Sequence, residues 1–190
     1  LQDLPKHKIS NNIVITINSL EDINKIPKGT KVEIEVDTGM NRNGILYQEL
    51  DIALNLILES DLILNGVFTH FSNAYLNDKS LSIQKQLFDK IITTIKSDDR
   101  FSDKIRFHCC ASSSLFRLDS FDYDLARIGI ATYGYISLPD GYKKPELKPV
   151  LSLWAEKITS KTVAKGGSIG YGQTYTANED IKVSTYDIGY

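Results

Sequence analysis

Cysteine is scarce in this sequence of 190 residues, which contains only two. Cys109 and Cys110 are adjacent in an apolar run, so they offer neither a disulfide framework nor the spacing of a metal site. Free thiols without a disulfide partner suit a reducing compartment. We therefore expect a cytoplasmic protein that carries no metal site.

An excess of charge of either sign is also missing. The 22 basic and 24 acidic residues give a formal net charge of -2 and a pI near 5.9. Because the basic residues are scattered, the composition favours neither a nucleic acid nor an anionic membrane as a partner. The composition does not exclude a small anionic ligand bound by a few local groups.

Long apolar runs and a signal peptide are absent as well. No uninterrupted apolar stretch approaches membrane-spanning length, and the first ten residues, LQDLPKHKIS, lack the apolar core of a signal peptide. With 42% hydrophobic and 24% charged residues, the composition is that of an ordinary globular protein. Because the sequence does not begin with Met, we expect it to be part of a longer protein.

Predicted strands and helices alternate along most of the chain. Strands are predicted at 31–37, 62–71, 104–111 and 123–134, and helices at 46–60, at 82–99 and, briefly, from the serines at 112–114. In the helix at 82–99, apolar residues recur every four positions, at Ile83, Leu87, Ile91 and Ile95. Strand alternating with helix at this spacing favours a parallel β/α architecture.

The pattern changes after Gly134. Residues 137–149, SLPDGYKKPELKP, form a connector rich in Pro and Lys, and the sequence beyond it has strand-like runs broken by Gly and Asn. We therefore predict two parts, a β/α domain at 1–146 and the start of a β-rich domain at 147–190.

Polar side chains follow each predicted strand. They are Asp37, Thr38 and Arg42, then Thr69 and His70, then Ser112 to Ser114, and finally Arg127 to Gly129. Taken singly, His70 reads as a core imidazole, Arg127 as a solvated charge and Ser112 as a helix N-cap. In parallel β/α folds, however, ligands bind beyond the carboxyl ends of the strands, so the four groups together indicate one site.

The serines at 112–114 and the glycine at 129 suit an anion. A helix start preceded by hydroxyls offers unpaired N–H donors, and Gly129 lets the backbone approach an oxyanion closely. Two such donor surfaces on neighbouring loops indicate a single phosphate, carried by either a substrate or a cofactor.

Five motifs give the chain a resemblance to a known family. VEIEVDTGMNRNGI, GVFTHFSNAY, HCCASS, ARIGIATYG and GGSIGYGQTY, in this order and spacing, closely resemble alanine racemase, a pyridoxal phosphate (PLP) enzyme of fold type III. The resemblance implies a partial (β/α)8 barrel followed by a β-rich domain. It also implies a head-to-tail homodimer with shared active sites, which interconverts L- and D-alanine and so supplies D-alanine for peptidoglycan.

The resemblance also implies how the cofactor is bound. Ser112, Gly129 and Ile130 would hold its phosphate, His70 would lie against its ring, and Arg127 would donate to its pyridine nitrogen. Because an arginine does not give up its proton, that nitrogen stays largely unprotonated and the ring is a weaker electron sink. Side reactions such as transamination are thereby limited.

The remaining roles concern the substrate. By resemblance, Arg42 reaches the substrate side of the ring and Tyr190 lies where the substrate gains access. Racemisation needs a base on each face of the α-carbon, and the family uses a lysine and a tyrosine from the partner subunit, here Tyr171. A hydrogen-bonded relay from His70 to Arg127 would help that tyrosine act near neutral pH.

Three departures from the family pattern stand out. The lysine that binds the cofactor lies in a Lys-Ala-Asn-Ala-Tyr-Gly type of motif, which none of the lysines here matches, so we expect this chain alone to be inactive. Glu35 stands where many members carry a carbamylated lysine, and it would supply the negative charge that orients Arg42. Ala111 replaces the asparagine usual before the phosphate-binding serine.

Three other functions remain open. A racemase of broader amino-acid specificity fits the same motifs. A non-catalytic PLP-binding barrel protein has no β-rich domain, so the GGSIGYGQTY motif argues against it. A fold type III decarboxylase would place an acid where Arg127 stands.

Overall fold

A computed structural model describes residues 9–101 and 103–189. Its first unit extends to Pro149 and is built on parallel strands in chain order: β1 (Val14–Ile17), β2 (Lys31–Asp37), β3 (Ile45–Leu46), β4 (Ile63–Phe68) and β5 (Arg106–His108). In space the order is β1-β2-β4-β5, with β3 beside the end of β2. Apart from the two-residue strand β3, strands that follow one another along the chain are therefore neighbours, as in a β/α barrel.

The helices between the strands are α1 (Leu20–Ile23), α2 (Leu50–Glu59), α3 (Ser80–Lys96) and α4 (Ser112–Leu115). α2 buries Leu50, Ala53, Leu54 and Ile57, which is the spacing of one helical face. α3 buries Leu81, Gln84, Phe88, Ile91 and Ile95. Ile83, the first of the apolar residues that recur every four positions, is 60% exposed and lies one residue out of phase with this buried face.

β2 shows why this sheet has two chemically different faces. Val32, Ile34 and Val36 are fully buried and join the hydrophobic core together with α2 and α3. The residues between them, including Glu33 and Glu35, lie on the opposite face, where burial is less complete. Strict alternation places these charges on the face away from the helices, because successive side chains of a strand point to opposite sides.

The predicted strand at 123–134 was wrong. Only Leu125 pairs there, in a single parallel bridge with His108, and residues Ile130–Tyr133 form a short 3-10 turn. The Asp124 side chain accepts the Phe107 N–H at 2.6 Å, where a strand would offer a main-chain carbonyl. The segment nevertheless runs beside β5, since Arg127 N–H donates to the Cys110 carbonyl at 2.8 Å.

The second unit begins at Val150 and contains antiparallel strands. β6 (Lys157–Val163) pairs with β9 (Ile181–Tyr186), and β7 (Ser168–Ile169) pairs with β8 (Tyr175–Thr176). The change from one unit to the next falls three residues after the predicted boundary at 146/147. None of the helices within the described residues has both the length and the apolar character that a bilayer-crossing segment requires.

Candidate functional site

The loop after β2 is organised by Asp37. One carboxylate oxygen, Oδ1, accepts the N–H groups of Gly39, Met40 and Asn41 at 2.8, 2.9 and 3.1 Å. Gly39 has a φ of 132°, and a Cβ on it would lie 2.9 Å from the Gln84 amide nitrogen. Asp37 and Gly39 therefore shape the turn that follows β2.

Two buried threonines join this loop to the loop after β4. The hydroxyls of Thr38 and Thr69 are hydrogen-bonded to each other at 2.7 Å, and both residues are almost fully buried. The carbonyl of Thr69 accepts the Arg127 Nη2 group at 2.7 Å. The ends of β2 and β4 and the segment after β5 are thus tied together at one edge of the sheet.

Arg127 is fixed by three contacts. Besides the Thr69 carbonyl, its Nη1 group contacts His108 Nδ1 at 2.6 Å, and its guanidinium lies 4.7 Å from the centroid of the Phe68 ring. Phe68 also stacks on His108, with ring centroids 4.8 Å apart. Burial lowers the pKa of Arg127, while the carboxylates of Glu35 and Glu33 act in the opposite direction.

The Ser112 hydroxyl marks a point where several donors meet. Its Oγ accepts the N–H groups of Gly129 and Ala131, both at 3.2 Å, and the residue is only 3% exposed. A Cβ built on Gly129 would meet nothing within 4 Å, so open space adjoins this backbone. The two N–H groups thus converge on the Ser112 oxygen, and an oxyanion that took its place as acceptor could be bound by both of them and by the hydroxyl.

One cleft of about 330 Å³, which we call the Ser112 cleft, collects the predicted cofactor-binding residues. Its lining includes His70, Ser112, Arg127, Gly129 and Ile130. This lining holds the Ser112 hydroxyl, the Gly129 backbone and the Arg127 guanidinium. The cleft can therefore bind a ligand that carries both an anionic group, for the hydroxyl and amide groups, and a hydrogen-bond acceptor, for the charged guanidinium.

Serine compensates for the alanine at position 111. The Ala111 N–H donates to Ser114 Oγ at 2.8 Å, and that hydroxyl donates to the Ala111 carbonyl at 3.1 Å. Ser114 is 1% exposed. A local side-chain bond thus fixes the backbone just before Ser112 without an asparagine.

The predicted pairing of Arg42 with Glu35 is not a direct one. Although both residues are described, no ion pair within 4.0 Å joins them, and Arg42 is exposed in a separate depression with Asp37 and Asn41. Asn41, directly before Arg42, has a φ of 53°, in the left-handed region. Burial raises the pKa of Glu35, opposed by the charges of Arg127 and then Arg42.

The predicted hydrogen-bonded relay from His70 to Arg127 is corrected by the structure. Arg127 bonds His108 and the Thr69 carbonyl, and no hydrogen bond joins it to His70, although both residues are described. His70 is half-buried in the same cleft, and burial, followed by the positive charges of Arg127 and Arg42, lowers its pKa. The imidazole is therefore held in its neutral form near neutral pH.

Tyr171 belongs to the second unit, where its side chain is fully exposed. It lies between Gly170 and Gly172, whose φ values of 76° and 71° favour glycine and place the tyrosine at the tip of a turn. The role assigned to Tyr171 stays a prediction. Tyr190, assigned to substrate access, lies outside the described residues.

Sequence reasoning does not single out three residues that surround Arg127, namely Phe68, His108 and Glu33. A signal for Glu33 does exist, because it alternates in phase with Glu35 along β2 and so shares its face. Within residues 9–101 and 103–189, no group of three or more His, Cys, Asp or Glu side chains could hold a metal ion.

Comparisons with known proteins agree on one family. The model of the alanine racemase N-terminal domain matches residues 3–137. The alanine racemase of a Nitratiruptor species is 42% identical over 194 residues, covering 100% of this chain and 57% of that protein. The alanine racemase of Campylobacter jejuni strain 81-176 is 35% identical over 190 residues, covering 100% of this chain and 55% of that protein. The chain thus spans about half the length of these curated relatives.

Solved structures give the same result. The alanine racemase from E. faecalis aligns with a TM-score of 0.73 at 27% identity, over 94% of this chain and 50% of that one. The alanine racemase from Bacillus anthracis, solved with bound L-Ala-P, aligns with a TM-score of 0.70 at 28% identity, over 93% and 48%. These matches confirm the predicted fold class, a partial α/β barrel followed by β-rich strands.

Proposed function

The chain belongs to the alanine racemase family, and from this premise we propose that the complete enzyme interconverts L- and D-alanine with PLP as cofactor. By complete enzyme we mean a protein with the length of the curated relatives, which contains this chain. We propose further that it is a cytoplasmic head-to-tail homodimer. That the chain alone is inactive stays a prediction.

The observation that carries this proposal is the Ser112 cleft. It collects all five residues that the family resemblance assigned to the cofactor, although they come from three separate loops. The residues fit the group, because hydroxyl and amide donors suit a phosphate and Arg127 suits a ring nitrogen. The open space beside Gly129 leaves room where a side chain would otherwise project.

PLP, when bound, would supply a conjugated ring that makes the α-hydrogen of alanine acidic. The chain's own residues would bind and orient it. Ser112 with the N–H groups of Gly129 and Ala131 would bind the phosphate, and Arg127 would donate to the ring nitrogen while keeping its proton. His70 would lie beside the ring in its neutral form, and Arg42 would act on the substrate side.

Proton transfer at the α-carbon would involve Tyr171 of the partner subunit. Its phenolic oxygen would take or return the α-proton on one face, while a lysine would serve the other face. Its exposed position on a turn is compatible with a role toward a second copy of the chain. Because no hydrogen bond joins the described side chains of His70 and Arg127, any hydrogen-bonded help for the tyrosine would come from His70 without that relay.

A Ser112→Ala variant of the complete enzyme tests the assignment of the cleft. We expect the affinity for PLP to fall by about 10-fold to 150-fold, since hydrogen bonds to charged groups are worth about 1.5–3 kcal/mol. PLP titration monitored by absorbance measures this, and chiral chromatography of alanine measures racemisation. Ser82→Ala, an exposed hydroxyl on α3, serves as the matched control.

Three results would contradict parts of the proposal. Unchanged PLP affinity in the variant would remove Ser112 from the phosphate site. A wild-type enzyme that binds PLP without racemising alanine would favour the non-catalytic PLP-binding protein. Equal rates with other amino acids would favour the racemase of broader specificity.

A Glu35→Gln variant tests the origin of the negative charge near Arg42 and Arg127. Because no direct ion pair is formed, we expect a modest loss of about 1 kcal/mol, roughly fivefold in the KM for alanine. Activity of the wild type should not depend on bicarbonate, because a carboxylate needs no carbamylation. Steady-state kinetics in bicarbonate-depleted buffer measures both, and recovery of activity on adding bicarbonate would contradict the assignment.

A further inference from the structure

A buried carboxylate lies behind the histidine that contacts Arg127. Glu33 Oε2 lies 3.2 Å from His108 Nε2, and the two side chains are only 13% and 5% exposed. The other carboxylate oxygen, Oε1, accepts Arg106 Nη2 at 2.8 Å and Asn65 Nδ2 at 3.2 Å. Glu33 therefore has a charged partner and two further donors, which is what a buried carboxylate requires.

A glycine makes this contact geometrically accessible. Glu33 lies on β2 and His108 on β5, and β4 runs between them. A Cβ built on Gly66 of β4 would lie 2.8 Å from Glu33 Oε1 and 3.0 Å from the Arg106 carbonyl. Without that Cβ, the carboxylate crosses over β4 and reaches the side chains of β5.

The hydrogen bonds fix the tautomer of His108. A guanidinium can only donate, so at 2.6 Å from Arg127 Nη1 the Nδ1 atom of His108 must be the acceptor. Nε2 then carries the ring proton and donates to the Glu33 carboxylate. Stacking on Phe68 fixes the plane of the same ring. The chain of contacts runs from Glu33 through His108 to Arg127.

We propose that Glu33 is a positioning residue for Arg127, acting through His108. The carboxylate holds the proton on Nε2, which keeps the Nδ1 lone pair directed at the guanidinium. If the ring proton moved to Nδ1, an N–H group would face a guanidinium that has only donors, and Arg127 would keep only the Thr69 carbonyl as acceptor. The effect of Glu33 on catalysis rests on the proposed function, because it assumes the proposed role of Arg127. The location of the proton on His108 Nε2 does not rest on it.

The first measurement needs no activity. In the complete enzyme labelled with 15N-histidine, the His108 signals, assigned with a His108→Gln variant, should show Nδ1 unprotonated and Nε2 protonated. A Glu33→Gln variant has one amide oxygen in place of two carboxylate oxygens, so it cannot serve His108, Arg106 and Asn65 together. We expect its His108 signals to show a mixture of tautomers. Asn65→Ala, which removes a donor to the other carboxylate oxygen, should keep the wild-type tautomer.

The second measurement is kinetic. Glu33→Gln should lower kcat by about 10-fold to 100-fold, the range found when an outer partner of a functional histidine is removed. The KM for alanine and the affinity for PLP should change less than threefold, since Glu33 does not line the Ser112 cleft. A merely structural role would instead change the melting temperature without changing the tautomer.

The outcomes separate the inference from the proposed function. A protonated Nδ1 in the wild type overturns the inference, even if no variant folds. A pure Nε2 tautomer in folded Glu33→Gln with an unchanged kcat overturns it as well. If the wild type does not racemise alanine, the proposed function fails, and the 15N spectra still decide whether Glu33 controls His108.

Discussion

Replacing Tyr171 by phenylalanine in the complete enzyme is expected to reduce racemisation roughly 100-fold to 10,000-fold in both directions. The variant keeps the aromatic ring and removes only the hydroxyl that would exchange a proton on one face of the α-carbon. Each direction of racemisation needs both bases, so both directions slow down. Binding of PLP should stay nearly unchanged, because the residues of the Ser112 cleft are untouched.

Hydrogen exchange distinguishes the two faces. In deuterated solvent, the α-proton of one enantiomer should still exchange through the lysine, whereas exchange of L-alanine, assigned to Tyr171, should collapse. Proton NMR of the two enantiomers measures this directly. Equal loss of exchange for both enantiomers would contradict the assignment and leave Tyr171 with a structural role.

Subunit mixing tests whether Tyr171 acts from the partner subunit. Tyr171→Phe subunits should be combined with subunits that lack the cofactor lysine. If the site is shared, each heterodimer regains one intact site, and activity should recover to a fraction of the wild-type value. No recovery in verified heterodimers would argue against the shared site.

An Arg127→Lys variant should lower kcat by roughly 100-fold to 1000-fold, the range for loss of an oriented electrostatic donor. A lysine keeps the positive charge, but as a single point it cannot replace the planar group that bonds both His108 and the Thr69 carbonyl. A half-buried lysine also loses its proton more readily than arginine does. The pyridine nitrogen could then become protonated, so transamination should increase.

Racemisation and release of the α-keto acid from alanine should be measured together for this variant. We expect the ratio of keto acid released to turnovers to rise above that of the wild type. Arg117→Lys is the matched control, because Arg117 also makes two hydrogen bonds, to the Ala74 and Leu76 carbonyls, and is not itself part of the lining of the Ser112 cleft. An unchanged kcat in Arg127→Lys would show that only the charge of this residue matters.

Most of the architecture follows from local features of the sequence. The alternation of β2 gives its two faces, the spacing of apolar residues gives α2 and α3, and the order of the five motifs gives the family. The sequence also pointed to His70, Ser112, Arg127 and Gly129, which lie in the lining of the Ser112 cleft, because groups that follow successive parallel strands meet at one edge of the sheet. These features depend on contiguous stretches of the chain, so they can be predicted from the local sequence.

Which of these groups bond to one another depends instead on tertiary packing. Arg127 bonds His108 and not His70, and Glu33 reaches a histidine 75 positions away across Gly66. Such pairings follow from the register of β2, β4 and β5 and from the space that a missing Cβ leaves. The predicted strand at 123–134 was lost for the same kind of reason, since a side chain from Asp124 took the place of a main-chain partner. Periodicity carries no information about register or side-chain reach, because both are set by residues far apart in the sequence.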